Sequence, residues 1–444
     1  MNGSVVSHVP DRPSGTPERD FVTSYVRRIV DGELDAVLPQ LPAVMLDGPK
    51  GVGKTETALQ RAQSVWRLDD PAQLAILQAD PTIVGADPPP VLVDEWQRFP
   101  AVWDVVKRAV DAGSAPGRFL LTGSAASRGT THSGAARIVT TRMRPLTLPE
   151  RGVCVPTVSM ADLLAGVRDP VSGMTNLTVR DYTDEIVRSG FPGMRALSGR
   201  ALRTQLDGYL DRIIDHDVPD AGHDVRRPAT LRAWLTAYAA AAGEAVSYEK
   251  VRDAATAGHG NKPAKTTTLP YIDVLTDLRV LDPLHAWLPG LNHLHRLTKA
   301  PKHHLADPAL AVRLLGLDAK ALLAGDVGSV SIPRDGVLLG GLFESLAAMS
   351  VRVFAQHSEA KVSHLRTYGG EHEVDLIVET GSGHVVAIEV KLSATIDDGD
   401  VRHLNWLEDR IGDRVLDKIV LNTGPRAYRR PDGVAVVPLA LLGA

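Results

Sequence analysis

Cysteine is almost absent from this chain of 444 residues, which contains one, Cys154. A single cysteine supplies neither an intrachain disulfide nor a cysteine-rich metal site, so we expect a buried and inert thiol. No run approaches the roughly 18 apolar residues of a membrane-spanning helix. Residues 1–20 are polar and lack an apolar signal core. We therefore expect a flexible tail over 1–20 on a cytoplasmic protein without a membrane partner.

Neither sign of charge dominates the sequence. Lys and Arg number 49, and Asp and Glu number 53, which gives a formal net charge of −4. This balance excludes a uniformly basic nucleic-acid coat protein, although it permits a local basic patch. The length predicts two or three domains. A hydrophobic fraction of 44% is ordinary for a globular protein.

What the chain does contain is a glycine-rich segment, Gly48–Thr55, between a predicted strand and a predicted helix. Its spacing, G-x-x-x-x-G-K-T, is that of a phosphate-binding P-loop. Glycines let backbone N–H groups close around phosphates, and the lysine and hydroxyl that follow reach the β- and γ-phosphates and Mg²⁺. The predicted nucleotide-binding residues are Gly48, Pro49, Lys50, Gly51, Val52, Gly53, Lys54, Thr55 and the adjoining Glu56.

A second motif, Val91–Gln97, is an apolar strand that ends in two carboxylates. In P-loop enzymes an acid in this place holds Mg²⁺, so Thr55 and Asp94 are the predicted metal ligands. Glu95 is the predicted general base that polarises the attacking water, and Lys54 is the second predicted catalytic residue. The order Asp-Glu favours hydrolysis of ATP over binding alone.

A third predicted strand, 118–124, ends in polar residues. If this strand neighbours the Asp94 strand, Thr122 or Ser124 lies beside the γ-phosphate and senses it or orients the water. A hydroxyl-rich turn without that role is the alternative. Arg137 is either an arginine finger or an ordinary surface residue. As a finger it acts in cis or reaches in from a neighbouring subunit, which allows for a homo-oligomer.

Strands and helices alternate over 21–155, which predicts an α/β P-loop domain with a parallel sheet. Region 156–330 is mostly helical, and two helices followed by a short strand predict a winged-helix shape near residues 248–281. In a DNA-binding domain of this shape, the threonines at 266–268 would contact the DNA backbone. The alternative is that the two helices only pack against the rest of the protein. The segment 285–304, which includes Lys302, is a basic wing or a solvated hairpin.

Region 331–444 follows the order helix, three strands, helix, strand, which fits a restriction-endonuclease-like α/β core. Asp375 lies on one strand, and Glu389 and Lys391 lie two residues apart on the next, so both face one side. With Glu344 from the preceding helix, these are the predicted catalytic residues of a nuclease-like site. Asp375 and Glu389 would hold Mg²⁺, and Lys391 would activate water. The alternative is a cluster whose charges neutralise one another.

Several of these segments resemble a bacterial and archaeal family of predicted AAA-type ATPases with a C-terminal domain of unknown function. The resemblance rests on 48–55, 91–100, 120–124, Arg137, 145–150, the Gly-Phe-Pro turn at 190–192, 301–307 and 373–375. It implies an ATP-binding core, a helical and winged-helix-like middle, and a nuclease-like C-terminal module. It implies no particular cellular role.

Three functions follow from these motifs. The first is an Mg²⁺-dependent, ATP-hydrolysing and DNA-associated protein that couples its nucleotide state to the C-terminal module. The second is a slow switch ATPase whose C-terminal module is a binding platform without catalysis. The third is a non-enzymatic partner of another protein. Nucleotide binding at Lys54 is common to the first two.

Overall fold

The computed structural model describes residues 25–123, 135–168, 170–222, 227–255, 265–287, 300–328, 330, 332, 336–367 and 370–444. The strands are β1 Ala43–Asp47, β2 Ser64–Arg67, β3 Val91–Asp94, β4 Phe119–Gly123, β5 Val139–Arg142, β6 Val158–Ser159, β7 Lys361–Arg366, β8 Glu373–Glu379, β9 Val385–Val390, β10 Val415–Asn422, β11 Tyr428–Arg429, β12 Ala435–Pro438 and β13 Leu442–Gly443.

The helices are α1 Ile29–Val37, α2 Lys54–Leu59, α3 Pro71–Ala79, α4 Ala101–Asp111, α5 Met160–Leu164, α6 Val179–Val187, α7 Gly199–Arg212, α8 Val218–Asp220, α9 Pro228–Ala240, α10 Tyr248–Ala254, α11 Lys265–Asp277, α12 Pro308–Leu314, α13 Ala319–Leu323, α14 Leu338–His357 and α15 Asp398–Ile411. A π-helical turn, Ile213–Asp217, joins α7 to α8. Short 3-10 turns occupy Pro81–Gly85, Trp96–Arg98, Pro192–Met194, Gly412–Arg414 and Leu439–Leu441.

The first sheet has the strand order β2-β3-β4-β1-β5, and every pair in it is parallel. Parallel strands need crossover connections, and α2, α3 and α4 supply them between successive strands. Because β4 lies between β3 and β1, the strand that carries Thr122 neighbours both the acid strand and the P-loop strand. The predicted parallel α/β sheet is confirmed.

The second sheet is mixed, with the order β11-β12-β10-β9-β8-β7. Strands β7, β8 and β9 pair antiparallel, whereas β9, β10 and β12 pair parallel. Four strands lie close to their predicted positions, but β11 and β12 were not predicted. Both unpredicted strands are short, with two and four residues, so alternation does not reveal them.

One continuous core joins the two sheets through the helical middle. Alternate residues of the first sheet, such as Val44 and Leu120, share this core with Leu376 and Ile388 of the second sheet. The opposite face of each sheet has a core of its own. Successive side chains of a strand point to opposite faces, so each sheet is buried on both sides. The helical middle therefore packs against both sheets.

Helix α14 runs through this shared core. Among the described residues it is the one helix whose length and composition would allow it to cross a membrane, and 72% of its most apolar window is buried within the protein. It packs against α1 of the first region and against α5, α6 and β7. Core helices reach the same length and composition, so this observation is weak evidence for a membrane segment.

The winged-helix shape predicted for the middle region is partly present. Helices α10 and α11 precede two antiparallel bridges, Leu281 with Leu305 and Leu284 with Lys302. Where the structure describes these residues, the packing alternative fits better than DNA contact, because Thr268 is 5% exposed, and Lys302 is not a solvated residue, because it is 1% exposed. A buried side chain cannot contact a DNA backbone. The basic residues at 296 and 299 lie outside the described residues.

The single cysteine provides a test of this packing. Cys154 packs against the shared core, and burial raises the pKa of its thiol to about 11. Only the thiolate attacks disulfide reagents, and a raised pKa makes it scarce at pH 8. We expect the folded protein to react with a chromogenic disulfide about 10²-fold more slowly than the urea-unfolded chain. Equal rates for the two forms would contradict the described environment.

Candidate functional site

The segment between β1 and α2 has the backbone that its glycines predict. Gly51 and Gly53 have φ values of +75° and +100°, in the left-handed region that favours glycine. A Cβ atom on Gly48 would lie 2.5 Å from the carbonyl oxygen of Met143. Each of these glycines is therefore required by the path of the chain, as a P-loop demands.

Lys54 begins α2 and lies beneath the loop. Its side chain is buried, and its Nζ donates hydrogen bonds to the carbonyl oxygens of Gly48 at 2.8 Å and Pro49 at 3.0 Å. Burial lowers the pKa of Lys54 to about 8, although Glu95 and Asp47 act in the opposite direction. An anion that replaces the two carbonyls would relieve the cost of this buried cation.

The predicted metal ligands are in contact. Thr55 Oγ1 donates to Asp94 Oδ1 at 2.8 Å, and Thr122 Oγ1 donates to the same carboxylate oxygen. Asp94 and Thr122 are register partners on adjacent parallel strands, and this pairing holds the two side chains together. A hydroxyl and a carboxylate oxygen are ligands that Mg²⁺ accepts beside nucleotide phosphates. Thr55 and Asp94 therefore fit the metal.

Glu95 follows β3 in a left-handed conformation with φ +55°. Its Oε2 accepts a hydrogen bond from Gln97 Nε2, which restrains the predicted general base. A Cβ on Gly123 would lie 2.6 Å from Trp96 Nε1 and 2.7 Å from Gln97 Oε1. The glycine after Thr122 thus makes room for the turn that carries the glutamate.

Two ion pairs connect the P-loop to the helical middle. Lys50 Nζ lies 2.6 Å from Asp217 Oδ1. Asp47, which precedes the loop, accepts a hydrogen bond from Arg279 Nε at 2.6 Å.

Beside Lys50 lies a cavity of about 470 Å³, whose wall includes Tyr209. The remaining predicted loop residues differ in exposure: Val52 is buried, and Glu56 is exposed on the first turn of α2.

Next to these contacts, three arginines surround one buried carboxylate. Asp282 lies 2.9 Å from Arg144, 3.1 Å from Arg142 and 2.9 Å from Arg352. Burial alone would raise the pKa of Asp282, but the guanidinium groups outweigh it and hold the pKa far below its usual value. The three arginines come from β5, the segment after it and α14, so this cluster joins all three regions.

Two predicted residues do not join the nucleotide site. Arg137 precedes β5 at the amino-terminal edge of the sheet, opposite the P-loop, and pairs with Asp111 at 2.8 Å. That position argues against an arginine finger in cis, whereas a role in trans stays a prediction. Ser124 lies outside the described residues.

The predicted C-terminal residues come together around a residue that was not predicted. Lys302 Nζ lies 2.6 Å from Asp375 Oδ1, 3.0 Å from Glu344 Oε1 and 3.1 Å from Glu373 Oε1. Lys391 Nζ lies 2.9 Å from Glu389 Oε1. The other oxygen of Glu389 is buried and has no hydrogen-bond partner among the described residues.

The pKa values of the ionisable side chains in this cluster differ strongly from their usual values. Burial raises the pKa of Glu389 to about 8, and Asp375 adds to the effect. Burial also raises the pKa of Glu344 well above its usual value. For Lys302, burial acts to lower the pKa, but the carboxylates, Asp375 foremost, outweigh it and raise the pKa well above its usual value. Lys302 is therefore a cation at neutral pH.

The C-terminal cluster does not fit the Mg²⁺ predicted for Asp375 and Glu389. The ammonium group of Lys302 already neutralises Asp375, and a cavity of about 430 Å³ lined by Asp375, Glu389 and Lys391 lies beside it. Within the described residues, no group of three or more His, Cys, Asp or Glu side chains is arranged to hold a metal ion. The arrangement is closer to the neutralised cluster that was the alternative to catalysis.

Sequence reasoning missed three residues of these sites. Gln97 lay inside a recognised motif, but nothing in the motif assigns a partner to Glu95. Arg279 and Lys302 were assigned to a strand and a wing, because long-range pairing with Asp47 and Asp375 has no local signal. Lys302 did carry one indication, since it lies in the segment 301–307 that supports the family resemblance.

Comparison with known families divides the chain into three matched regions. Residues 40–151 match an AAA domain (AAA_14). Residues 179–321 match a domain of unknown function (DUF8612), and residues 339–442 match another domain of unknown function (DUF4143). Together with the geometry of Lys54, Thr55 and Asp94, the first match supports an AAA-like P-loop ATPase domain over residues 40–151. The nuclease-like nature of the C-terminal region stays a prediction.

Two curated relatives cover most of the chain. They are the uncharacterized proteins Rv2008c of Mycobacterium tuberculosis and Mb2031c of Mycobacterium bovis, each 26% identical over 380 residues, 83% of this chain and 74% of the relative. Among solved structures, the Walker-type ATPase PABY2304 of Pyrococcus abyssi is 15% identical and covers 65% of this chain and 96% of its own, with a TM-score of 0.37. A RuvB variant of Thermotoga maritima is 19% identical and covers 57% and 88%, with a TM-score of 0.26. Both TM-scores are too low to support an argument.

The contact between Thr55 and Asp94 predicts how magnesium affects binding. We expect Asp94→Asn to bind ATP without magnesium about as well as the parent protein, because Lys54 and the loop backbone are retained. The gain in affinity on adding Mg²⁺ should fall at least about tenfold, since a ligand carboxylate is lost. Calorimetric titration with ATP, in Mg²⁺ or in a chelator, measures both values.

Asp111→Asn is the matched control, because Asp111 lies at the opposite edge of the same sheet and pairs with Arg137. It should keep the magnesium effect of the parent protein. An Asp94→Asn protein with an undiminished magnesium effect would show that Asp94 is not a metal ligand.

Proposed function

We propose that this protein binds and hydrolyses ATP with Mg²⁺ and uses its nucleotide state as a switch. The observation that carries the proposal is the hydrogen-bonded set of Thr55, Asp94 and Thr122 beside the buried ammonium of Lys54. This arrangement offers a cation for the phosphates and oxygen ligands for a metal. It is the geometry that an ATPase of this class uses.

Each residue has a role in the proposed reaction. The loop backbone and Lys54 bind the β- and γ-phosphates, while Thr55 and Asp94 would hold Mg²⁺, which neutralises charge on the phosphates. Glu95 accepts a proton from the attacking water. Gln97 restrains one oxygen of Glu95 and leaves the other for that water. Thr122 contacts the Asp94 carboxylate and is positioned to respond to the γ-phosphate.

The switch is supported by the ion pairs that connect the loop to the helical middle. Lys50 belongs to the loop and pairs with Asp217, and Asp47 precedes the loop and pairs with Arg279. A triphosphate in the loop competes for Lys50 and moves the backbone next to Asp47. Both changes act directly on residues of the middle region, so nucleotide state can be passed on.

Of the two ATPase functions predicted from the sequence, the geometry favours the switch. The predicted DNA contact at Thr268 is buried, and the predicted nuclease cluster contains Lys302 where a metal ion would be needed. Association with DNA and coupling to a nuclease stay predictions from the sequence. An ATPase rate that rises several-fold with DNA would favour them over the switch.

Substitution of the predicted base is the direct test of hydrolysis. We expect Glu95→Gln to bind ATP with the affinity of the parent protein and to lower kcat by about 10²–10⁴-fold, because only proton transfer is lost. Phosphate release and nucleotide binding are measured on the same preparation. Glu359→Gln, on the exposed turn after α14, is the control and should hydrolyse normally.

A normal rate in Glu95→Gln would disprove the assignment of the base. Lys54→Ala tests nucleotide binding as well as hydrolysis. It should lower nucleotide affinity by about 10–100-fold and should also lose hydrolysis. Lys107→Ala removes a lysine from an exposed i,i+4 ion pair on α4 and should retain both properties.

The link to the middle region has its own test. We expect Arg279→Ala to bind ATP normally and to lose the nucleotide-dependent change in amide exchange of α11, which ends just before Arg279, because its contact with Asp47 is removed. Arg313→Ala is the matched control, since Arg313 pairs with Asp207 within the middle region. Retention of the exchange response in Arg279→Ala would show that the signal takes another route.

A further inference from the structure

The C-terminal acidic cluster is assembled from two regions of the chain. Asp375 and Glu373 lie on β8, and Glu344 lies on α14, all within the C-terminal region. Lys302 comes from the bridged segment of the middle region and reaches all three carboxylates. Its side chain is almost completely buried, as is that of Asp375.

The distances in this cluster match an ammonium ion held by acidic side chains. The three oxygens lie 2.6, 3.0 and 3.1 Å from Lys302 Nζ. These are lengths of charge-assisted hydrogen bonds. Magnesium needs oxygens at about 2.0–2.1 Å in a near-ideal octahedron. A divalent ion on Asp375 would also lie a few ångströms from a buried positive charge, which is strongly unfavourable.

The backbone holds Lys302 in this position. Its N–H donates to Leu284 O at 3.0 Å, and Leu284 N–H donates to Lys302 O at 2.9 Å. The next residue, His303, exchanges backbone hydrogen bonds with the segment 243–244. These bonds fix the Lys302 backbone beside the acidic side chains.

Close packing brings Glu344 into the same space. A Cβ on Gly243, which has φ +78°, would lie 3.0 Å from the Cα of Gly341 and 3.2 Å from Glu344 Oε2. Only a residue without a side chain lets this segment approach α14 so closely. The middle region is thus fitted to the acids of the C-terminal region by both shape and charge.

We propose that Lys302 is a built-in cation that permanently takes the place of a divalent metal in the nuclease-like cluster. The C-terminal region then binds no divalent cation at Asp375 and catalyses no metal-dependent phosphodiester cleavage. The cluster fastens the bridged segment of the middle region to β8 and α14. This inference concerns a different site from the ATPase centre and does not depend on ATP hydrolysis.

The test measures Mn²⁺ binding to the full chain without nucleotide, by the loss of the free-ion signal in electron paramagnetic resonance. Asp94→Asn is present throughout as the parent, because it removes the metal ligand of the P-loop. We expect no Asp375-dependent ion in this parent. Lys302→Met should gain one ion, bound at least about tenfold more tightly than any residual Mn²⁺ on the parent, since the acidic side chains lose their cation. Adding Asp375→Asn should abolish the gain.

Lys418→Met is the matched control. Lys418 is also buried in the C-terminal region and pairs with Glu408, but it lies outside the cluster. Its removal should create no Mn²⁺ site. Because Lys302→Met leaves buried carboxylates uncompensated, Lys302→Met/Glu373→Gln serves as a second variant with one charge fewer.

Either of two results overturns the proposal. One is an Mn²⁺ ion in the parent that Asp375→Asn removes. The other is a folded Lys302 variant that gains no ion, or gains one that survives Asp375→Asn. If neither Lys302 variant folds, Mn²⁺ binding to the Asp94→Asn parent decides the question. An ion that depends on Asp375 refutes the proposal, and the absence of such an ion supports it.

Discussion

The continuous hydrophobic core between the two sheets is the constraint on which the rest of this structure depends. The P-loop sheet and the C-terminal sheet each contribute one face to it, and the helical middle and α14 fill the space between. Close-packed interiors do not deform gradually. The proposed nucleotide-dependent change would therefore begin at polar contacts between the first region and the middle, such as Lys50–Asp217 and Asp47–Arg279.

Buried charge fixes how the three regions meet. Asp282 is surrounded by arginines of the first region and of α14, and Lys302 is surrounded by acids of the C-terminal region. Replacing such groups by apolar residues is often tolerated, but removing one partner leaves a buried charge without compensation. A shifted arrangement of the regions would leave several of these charges unpaired.

The sequence predicted what local spacing determines. Gly51, Lys54 and Thr55 follow from the backbone that phosphate binding requires, and Asp94 follows from the end of an apolar strand. The sequence did not predict the strand order. It predicted only that Thr122 would lie beside the γ-phosphate if β4 neighbours β3. The environment of Lys302 was not predictable. Its three acidic partners lie more than 40 residues later in the chain, and no repeating sequence pattern connects them to it. The position of Arg137 at the edge opposite the P-loop was not predictable either, because it depends on the strand topology.

The contrast between the two lysine sites shows how one residue type serves opposite purposes. Lys54 donates to carbonyl oxygens of its own loop, which are neutral acceptors that a phosphate can displace. Lys302 is held by three acidic side chains, and an incoming anion would have to compete with their oxygens, among them the ionised carboxylate of Asp375. The first lysine is therefore available to a ligand, whereas the second is committed to the fold. This difference supports the proposed nucleotide chemistry in the first region and the proposed attachment of the C-terminal region to the middle through its acids.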